Sequence, residues 1–317
     1  MKIVAALGVV AITSVALAGV RPAGAVENGQ ANFPQGTSGT DIATFPPFPG
    51  LFVLQQSDFS EANGLYDNNG NKNPYVKYKF NSYVNVDRIL LSYPLNLPDK
   101  IHLYSQLTLP YVSLHQEVNG VKSGVTAWAN VAFSPIIATW QRDDLTTIGG
   151  LDIVTDGGQY TRNAFSASSG YWSWCPNLGF RYDTRTGIDV GILSRFEINQ
   201  KDVHTGYQSG NLDESDFLAM WNVSQRFKVG MVGNFLVQFT DDRQADRIPL
   251  PGGNRAVTLA FGPGFSYSAH IGTYHFNIDG NVQVDVLARN TTKPTNFWLN
   301  FGVPIFAAVP HYPIHPT

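Results

Sequence analysis

The chain has 317 residues, 14% of them charged and 13% aromatic, with a formal net charge of −3. A charged fraction so far below the roughly 25% of soluble domains argues against an ordinary water-solvated surface, and the small net charge leaves no electrostatic basis for nucleic-acid binding. A single cysteine, Cys175, excludes an internal disulfide framework.

Residues 1–25 read as a secretory signal peptide. Lys2 gives the positive start, 3–18 an apolar run, and Ala23 and Ala25 a small-residue cleavage site; Ala16 and Ala18 offer a second. Residues 26–49 form a polar, Gly/Pro-rich leader ending in FPPFPG, which suits a plug or a periplasmic segment. From there to residue 307 apolar and polar residues alternate with a period of two, the signature of strands with two unlike faces. Residues 308–317 form a tail after Phe306.

The alternation predicts about twelve strands. They cover 51–57, a stretch opening at 75, 101–114, 125–141, 145–155, 171–182, 187–198, 216–224, 228–242, 255–268, 273–289 and 295–306. In 228–242, Val229, Met231, Phe235, Val237 and Phe239 share one face, and Asn234 and Gln238 the other. The second strand puts Val76, Tyr78, Phe80, Ser82, Val84 and Val86 on one side. Trp128 and Trp140 bracket the fourth strand, but Pro135 between them invites a bulge, so their directions stay open.

Links after odd-numbered strands are long, as in DGGQYTRNAFSASSG, and those after even-numbered strands are short, as in QRDD, DTRT, QRFK and AHIG. Long loops at one end and tight turns at the other are the habit of outer-membrane barrels. Strand length points the same way: about thirteen residues at about 3.3 Å each reach roughly 40 Å, enough to cross a bilayer. The fold class expected is all-β, a closed antiparallel transmembrane β-barrel of about 12 strands, because lipid tolerates no open sheet edge. A soluble sandwich or a closed soluble barrel, with the apolar faces as its core, is the competing reading.

Several segments, taken in order, resemble a known family. They are VDRILLSYPLNLP with YSQLTLPYVSLH, GGLDIVTDGGQY, SGYWSWCPNLGFRYDTRTGIDVGI, FEINQKDVHTGYQSGNLDESDFLAMW, VGMVGNFLVQFTDD and LAFGPGFSYS. The chain is similar to outer-membrane proteins named for a MetA pathway of phenol degradation. Asn199, Tyr207, Ser209 and Gly210 match that family's N…Y-x-S-G element, and Asp241 and Asp242 its acidic pair. VTDGG stands where members often read P-T-G. The resemblance implies a barrel and a role in transport of hydrophobic or aromatic compounds, without a defined mechanism.

No catalytic or cofactor motif appears: there is no G-x-S-x-G, H-E-x-x-H, P-loop or G-x-G-x-x-G. DNNGNKN at 67–73 looks calcium-like, but Lys72 occupies the position that needs glycine, so it reads as a polar loop. If the apolar faces meet lipid, Lys77, Lys79, Arg181, Asp189, Arg195, Glu197, Arg226, Asp279 and Asp285 point inward and line the lumen, pairing there or setting selectivity. The function expected is a passive outer-membrane channel for small, hydrophobic or aromatic solutes, exported by its signal peptide, with no cofactor, metal or nucleic-acid partner. Its partners would be outer-membrane lipid, the solute and the barrel assembly machinery. Two alternatives remain open: a lipid-modifying enzyme, which needs a serine and a histidine meeting at the barrel rim, and a structural or adhesive barrel with a blocked lumen.

Overall fold

The computed structural model describes residues 31–95, 97, 100–161, 164–244, 251–271 and 274–307. The expected signal peptide, residues 26–30 of the leader and the tail 308–317 lie outside the described residues. The strands are β1 (Gly50–Leu65), β2 (Tyr78–Ser92), β3 (Ile101–Val118), β4 (Val121–Trp128), β5 (Ala132–Arg142), β6 (Leu145–Val154) and β7 (Ser173–Asp183). They continue with β8 (Ile188–Asn199), β9 (Leu212–Asn222), β10 (Phe227–Gln238), β11 (Val257–Ile271), β12 (Tyr274–Arg289) and β13 (Thr292–Ala307).

Apart from β4 and β5, which both pair with β3, strands adjacent in sequence pair antiparallel, and β1 pairs with both β2 and β13, so the sheet closes on itself. β4 and β5 share one place in the ring: β4 pairs with residues 111–118 of β3 and β5 with residues 101–108. Thirteen segments thus make a closed barrel of 12 strands. The β1–β13 seam closes the ring, which is what hydrocarbon demands of a sheet, and among the described strands β4 alone pairs on one side only. The links 66–77, 155–172, 200–211 and 239–256 leave one end, and the turns 143–144, 184–187 and 223–226 the other.

The strand predicted over 125–141 is interrupted at residues 129–131. There the backbone turns its hydrogen bonds to other partners: Ala129 N–H donates to Pro110 O at 2.9 Å, and Gln159 and Thr155 N–H donate to Trp128 O and Val131 O. Further along, the register slips between Phe133 and Ile136, around Pro135, which has no N–H to give the ladder. The slip settles the tryptophans. Trp128 is exposed on the outer wall against Tyr111, ring centroids 5.3 Å apart. Trp140 is half-buried, in phase with outward Ile136, while Ile137 and Thr139 face inward. The expected long link after the third strand is instead a two-residue hairpin. Asn119 and Gly120 have φ of 51° and 86°, the left-handed pair that matches the twist of the flanking strands.

The question of core or lipid is answered by which residues are exposed. Val229, Met231 and Val237 of β10 and Trp174, Leu178, Phe180 and Tyr182 of β7 lie exposed on the outer wall. Asn234 and Gln238 are buried inside. β2 runs against expectation. Tyr78, Phe80, Ser82, Val84 and Val86 face inward along a cavity, and Tyr83, Asn85, Asp87, Ile89 and Leu91 face out. An alternation of two shows that a strand has two faces without saying which is enclosed, and here the lumen itself is apolar. One consequence is a polar strip on the outer wall, where Gln55 of β1 and Asp87 of β2 are register partners.

Candidate functional site: the occupied lumen

The leader is the key to the interior. Residues 31–49 run lengthwise down the bore, from the long-loop side to the start of β1 at the short-turn end, and inward-facing side chains hold them at successive levels. At the top, Glu197 accepts from the N–H groups of Phe33 (2.7 Å) and Asn32 (3.3 Å). The Asn32 amide donates to Tyr171 O and to Ser173 Oγ at 2.8 Å. Asn130, in the gap between β4 and β5, donates to Asn32 Oδ1 at 2.7 Å and accepts from Ser168 Oγ at 2.6 Å. The wall's interruption therefore joins the leader to the link after β6.

At mid-height Asp216 accepts from the N–H groups of Gly36 and Ser38, both at 2.9 Å, and Gln56 donates to Thr37 O at 2.8 Å. Gly36 has φ +78°, a conformation that favours glycine, and a Cβ there would stand 2.9 Å from the end of the Gln283 side chain, which would have to shift. Arg195 donates to Ser38 Oγ at 2.7 Å and lies between Asp216, Glu214 and Asp152 at 3.3–3.4 Å. Its guanidinium also sits 4.4 Å over the Phe33 ring. Lower down, Arg181 grips Asp189 with two nitrogens (2.7 and 2.6 Å) and turns the third to Thr40 O and Ile42 O at 2.8 and 3.0 Å. Lys228 joins Asp189 to Asp183. Such fork-shaped guanidinium contacts fix geometry as well as charge. Below this level Ile42 packs in an apolar cluster with Leu90, Tyr104, Ile137, Leu193 and Val232. Phe45 lies against Tyr104 and Phe48 against Phe52, with ring centroids 5.0 and 5.7 Å apart.

Two cavities flank this barrier. The upper one, about 240 Å³, has an apolar wall from β2 and β3 and a floor made of leader residues including Phe33, Pro34 and Thr37. The lower one, about 410 Å³, reaches the short-turn mouth past Phe45, Phe48, Phe52 and Leu90. Leader residues border both, Thr37 above and Thr40 and Asp41 below.

The expected lumen residues divide accordingly. Arg181, Asp189, Arg195, Glu197, Asp279 and Asp285 are buried inside the barrel. Asp279 accepts from Asn300 at 2.8 Å. The inward placement fails for three. Lys77 lies exposed in the link before β2. Lys79 sits on the outer side of β2 because that strand's faces are reversed. Arg226 lies exposed in the turn after β9, which ends at Asn222. Asp152, Glu214, Asp216 and Gln56 belong to the same inner wall but were not singled out in the sequence; each was legible only by counting alternate residues from a known inward neighbour.

Most of the family-like loop residues come together on the long-loop side, with Asn199 on the inner face beside Ser173. Asp242 accepts four hydrogen bonds: from Tyr207 Oη (2.6 Å), Gly210 N–H (2.7 Å), Gln238 Nε2 (2.7 Å) and Asn254 Nδ2 (2.8 Å). Asn199 donates to Gly210 O at 2.9 Å, and Gln208 and Arg243 exchange backbone hydrogen bonds. A Cβ on Gly210 would stand 2.1 Å from Thr240 O, so only glycine fits. Asp241 pairs with Arg255 at 2.7 Å near the surface. Burial raises the Asp242 carboxyl above its ordinary value, and the donors offset this only in part. Ser209 is fully buried in this knot. The cluster ties two long links to each other. At 67–71, Asp67 accepts from the N–H groups of Asn69 and Asn71, closing a local turn.

A serine and a histidine do meet near the rim: Ser113 Oγ lies 3.2 Å from His115 Nε2 on the outer side of β3. Among the described residues no carboxylate or amide hydrogen-bonds that ring. Nor does any group of three or more His, Cys, Asp or Glu form a metal cluster among them.

The family model described as "Putative MetA-pathway of phenol degradation" matches residues 62–301. No curated protein matches the chain. Among solved structures, an outer membrane channel from Pseudomonas putida F1 is similar, with TM-score 0.72 and 12% identity over 83% of this chain and 98% of that one. The transport unit of the autotransporter AIDA-I from Escherichia coli aligns with TM-score 0.53 and 10% identity over 80% of this chain and 89% of that one. At such identities the likeness is one of fold, and it is the fold of an outer-membrane barrel.

Proposed function

The chain belongs to the family of the MetA pathway of phenol degradation, and from that membership and the lumen described above we propose that it is a passive outer-membrane conduit for small apolar or aromatic solutes. One observation carries this reading: an apolar-walled cavity on the long-loop side, taken as external, is floored by the chain's own leader and has a second apolar cavity beneath it. An open water-filled porin would present a polar bore. Here apolar surface lies inside, where a greasy solute can shed its water. The similar channel from Pseudomonas putida supports the outer-membrane setting. The buried acidic and basic side chains hold the leader, and the leader acts as a plug that must shift for each passage.

The test is uptake of a one-ring aromatic solute across a membrane with lipopolysaccharide in its outer leaflet. Membranes carrying the mature protein should take it up faster than empty ones and show little ion current at rest. Uptake equal to that of empty membranes would favour the blocked, structural barrel. The Ser113–His115 pair gives the enzyme reading one observation in its favour, but the histidine lacks an orienting partner. Hydrolysis of a micellar ester that Ser113→Ala abolishes would reinstate it; none is expected.

A further inference from the structure

The upper cavity is bordered by two buried polar atoms that the fold leaves unpaired, one on Asp58 and one on Trp298. Asp58 of β1 and Trp298 of β13 are register partners on neighbouring strands, both facing inward, and each is only 5% exposed. Asp58 Oδ2 accepts from Ser60 Oγ at 2.9 Å and the Phe297 backbone N–H lies near the carboxyl, while Oδ1 has no partner at hydrogen-bond geometry. Trp298 Nε1 also has none. Both residues line the cavity. A buried acceptor and a buried donor side by side, each unsatisfied, are costly unless something else completes them.

The rest of the lining restricts what that something is. Phe80, Val84, Val86, Val112 and Leu114 form an apolar wall, and Asp285 adds a second carboxyl. The lining holds no lysine, arginine or histidine. An anionic head would meet two carboxyl groups and no cation. An ammonium head would donate to Asp58 but could accept nothing from the indole N–H. A hydroxyl does both, donating to one group and accepting from the other. At about 240 Å³ the space suits a single ring or a short chain.

The geometry points to a binding site for neutral hydroxyl-bearing apolar molecules, with the head bridging Asp58 Oδ1 and Trp298 Nε1 and the body against the β2–β3 wall. The inference rests on the conduit reading and names the solute class that would pause there. Whether the body is aryl or alkyl is set by the wall, not by the bridge.

The test uses three probes of one shape, benzyl alcohol, toluene and benzoate, with the full mature chain in detergent. Saturable binding is measured by calorimetry against empty micelles, and uptake is followed separately in the lipopolysaccharide membrane. Benzyl alcohol should bind at least about tenfold more tightly than either competitor. Trp298→Phe, which keeps the ring and removes the donor, should lower benzyl alcohol affinity toward that of toluene and leave toluene unchanged. Asp58→Asn, tested alongside, should weaken the preference and admit benzoate more readily. Equal binding of alcohol and toluene by the native protein, as expected of a cavity that holds only water, would overturn the proposal. So would a preference that survives Trp298→Phe. Uptake without preference would sink the site and spare the conduit; preference without uptake would do the reverse.

Discussion

A single carboxyl group, Asp242, shows how much of the loop structure hangs on one residue. It receives four donors from three segments of chain, yet burial still lifts its proton affinity above the ordinary value. The folded state therefore holds that proton more tightly than the unfolded chain does. By linkage, the group's contribution is fully present in acid, below its unfolded value, and is lost as pH rises through its folded value. Asp242→Asn cannot accept from all four donors and should cost about 1–3 kcal/mol. The gap in melting temperature between native protein and variant should be widest in acid and narrow toward neutrality, as read by heat-induced mobility shift on gels. Asn199, Tyr207, Gly210 and Asp242 could be picked out in the sequence as a recurring set, but nothing in their spacing says that they meet. Their links are far apart in the chain and become neighbours only when β8 to β11 stand side by side.

Strands were the most legible elements and their faces less so. The two-residue period found a strand at each place in the ring but stopped short in β1, β3 and β9, and in β7, β10 and β12 it also separated outer from inner residues, because polar side chains marked the inner side. It misled at β2, where the enclosed face is the greasier one and the outer face carries Asn85 and Asp87. It also missed the break at 129–131, because no residue there forbids a strand; the break is made by Asn130, whose side chain is drawn to the leader and to the link after β6. The outward carboxyl of Asp87 gives the outer-wall assignment its own test. A carboxylate facing hydrocarbon is unfavourable, so Asp87→Leu should raise stability in lipid by on the order of 1–2 kcal/mol. Urea titration in bilayers of defined thickness would measure it, and a loss of stability there would mean that Asp87 meets a polar partner.

Taken whole, the molecule is a closed wall around residues 31–49 of its own leader. The wall was readable from strand length, loop parity and composition. The leader's path was not, because a polar Gly/Pro-rich stretch carries no period, and many of the contacts that fix its place are made by backbone N–H and C=O groups, which leave no mark in the sequence. Asp216 anchors two of those N–H groups at mid-height. Asp216→Ala should release the leader there while Glu214 and Asp152 still balance Arg195. The expected outcome is a several-fold rise in single-channel open time in planar bilayers, with an unchanged heat-modifiable barrel on gels as the control for folding.

β1 forms one side of the final seam, because it pairs with β13 as well as with β2. The ring cannot be sealed until the last strand has been made, whereas the segment destined for its interior is synthesised before the first. That segment is joined to the free lip of the seam at Gly50, so assembly has to reconcile two events in time: drawing the early segment inward and zipping the two chain ends together around it.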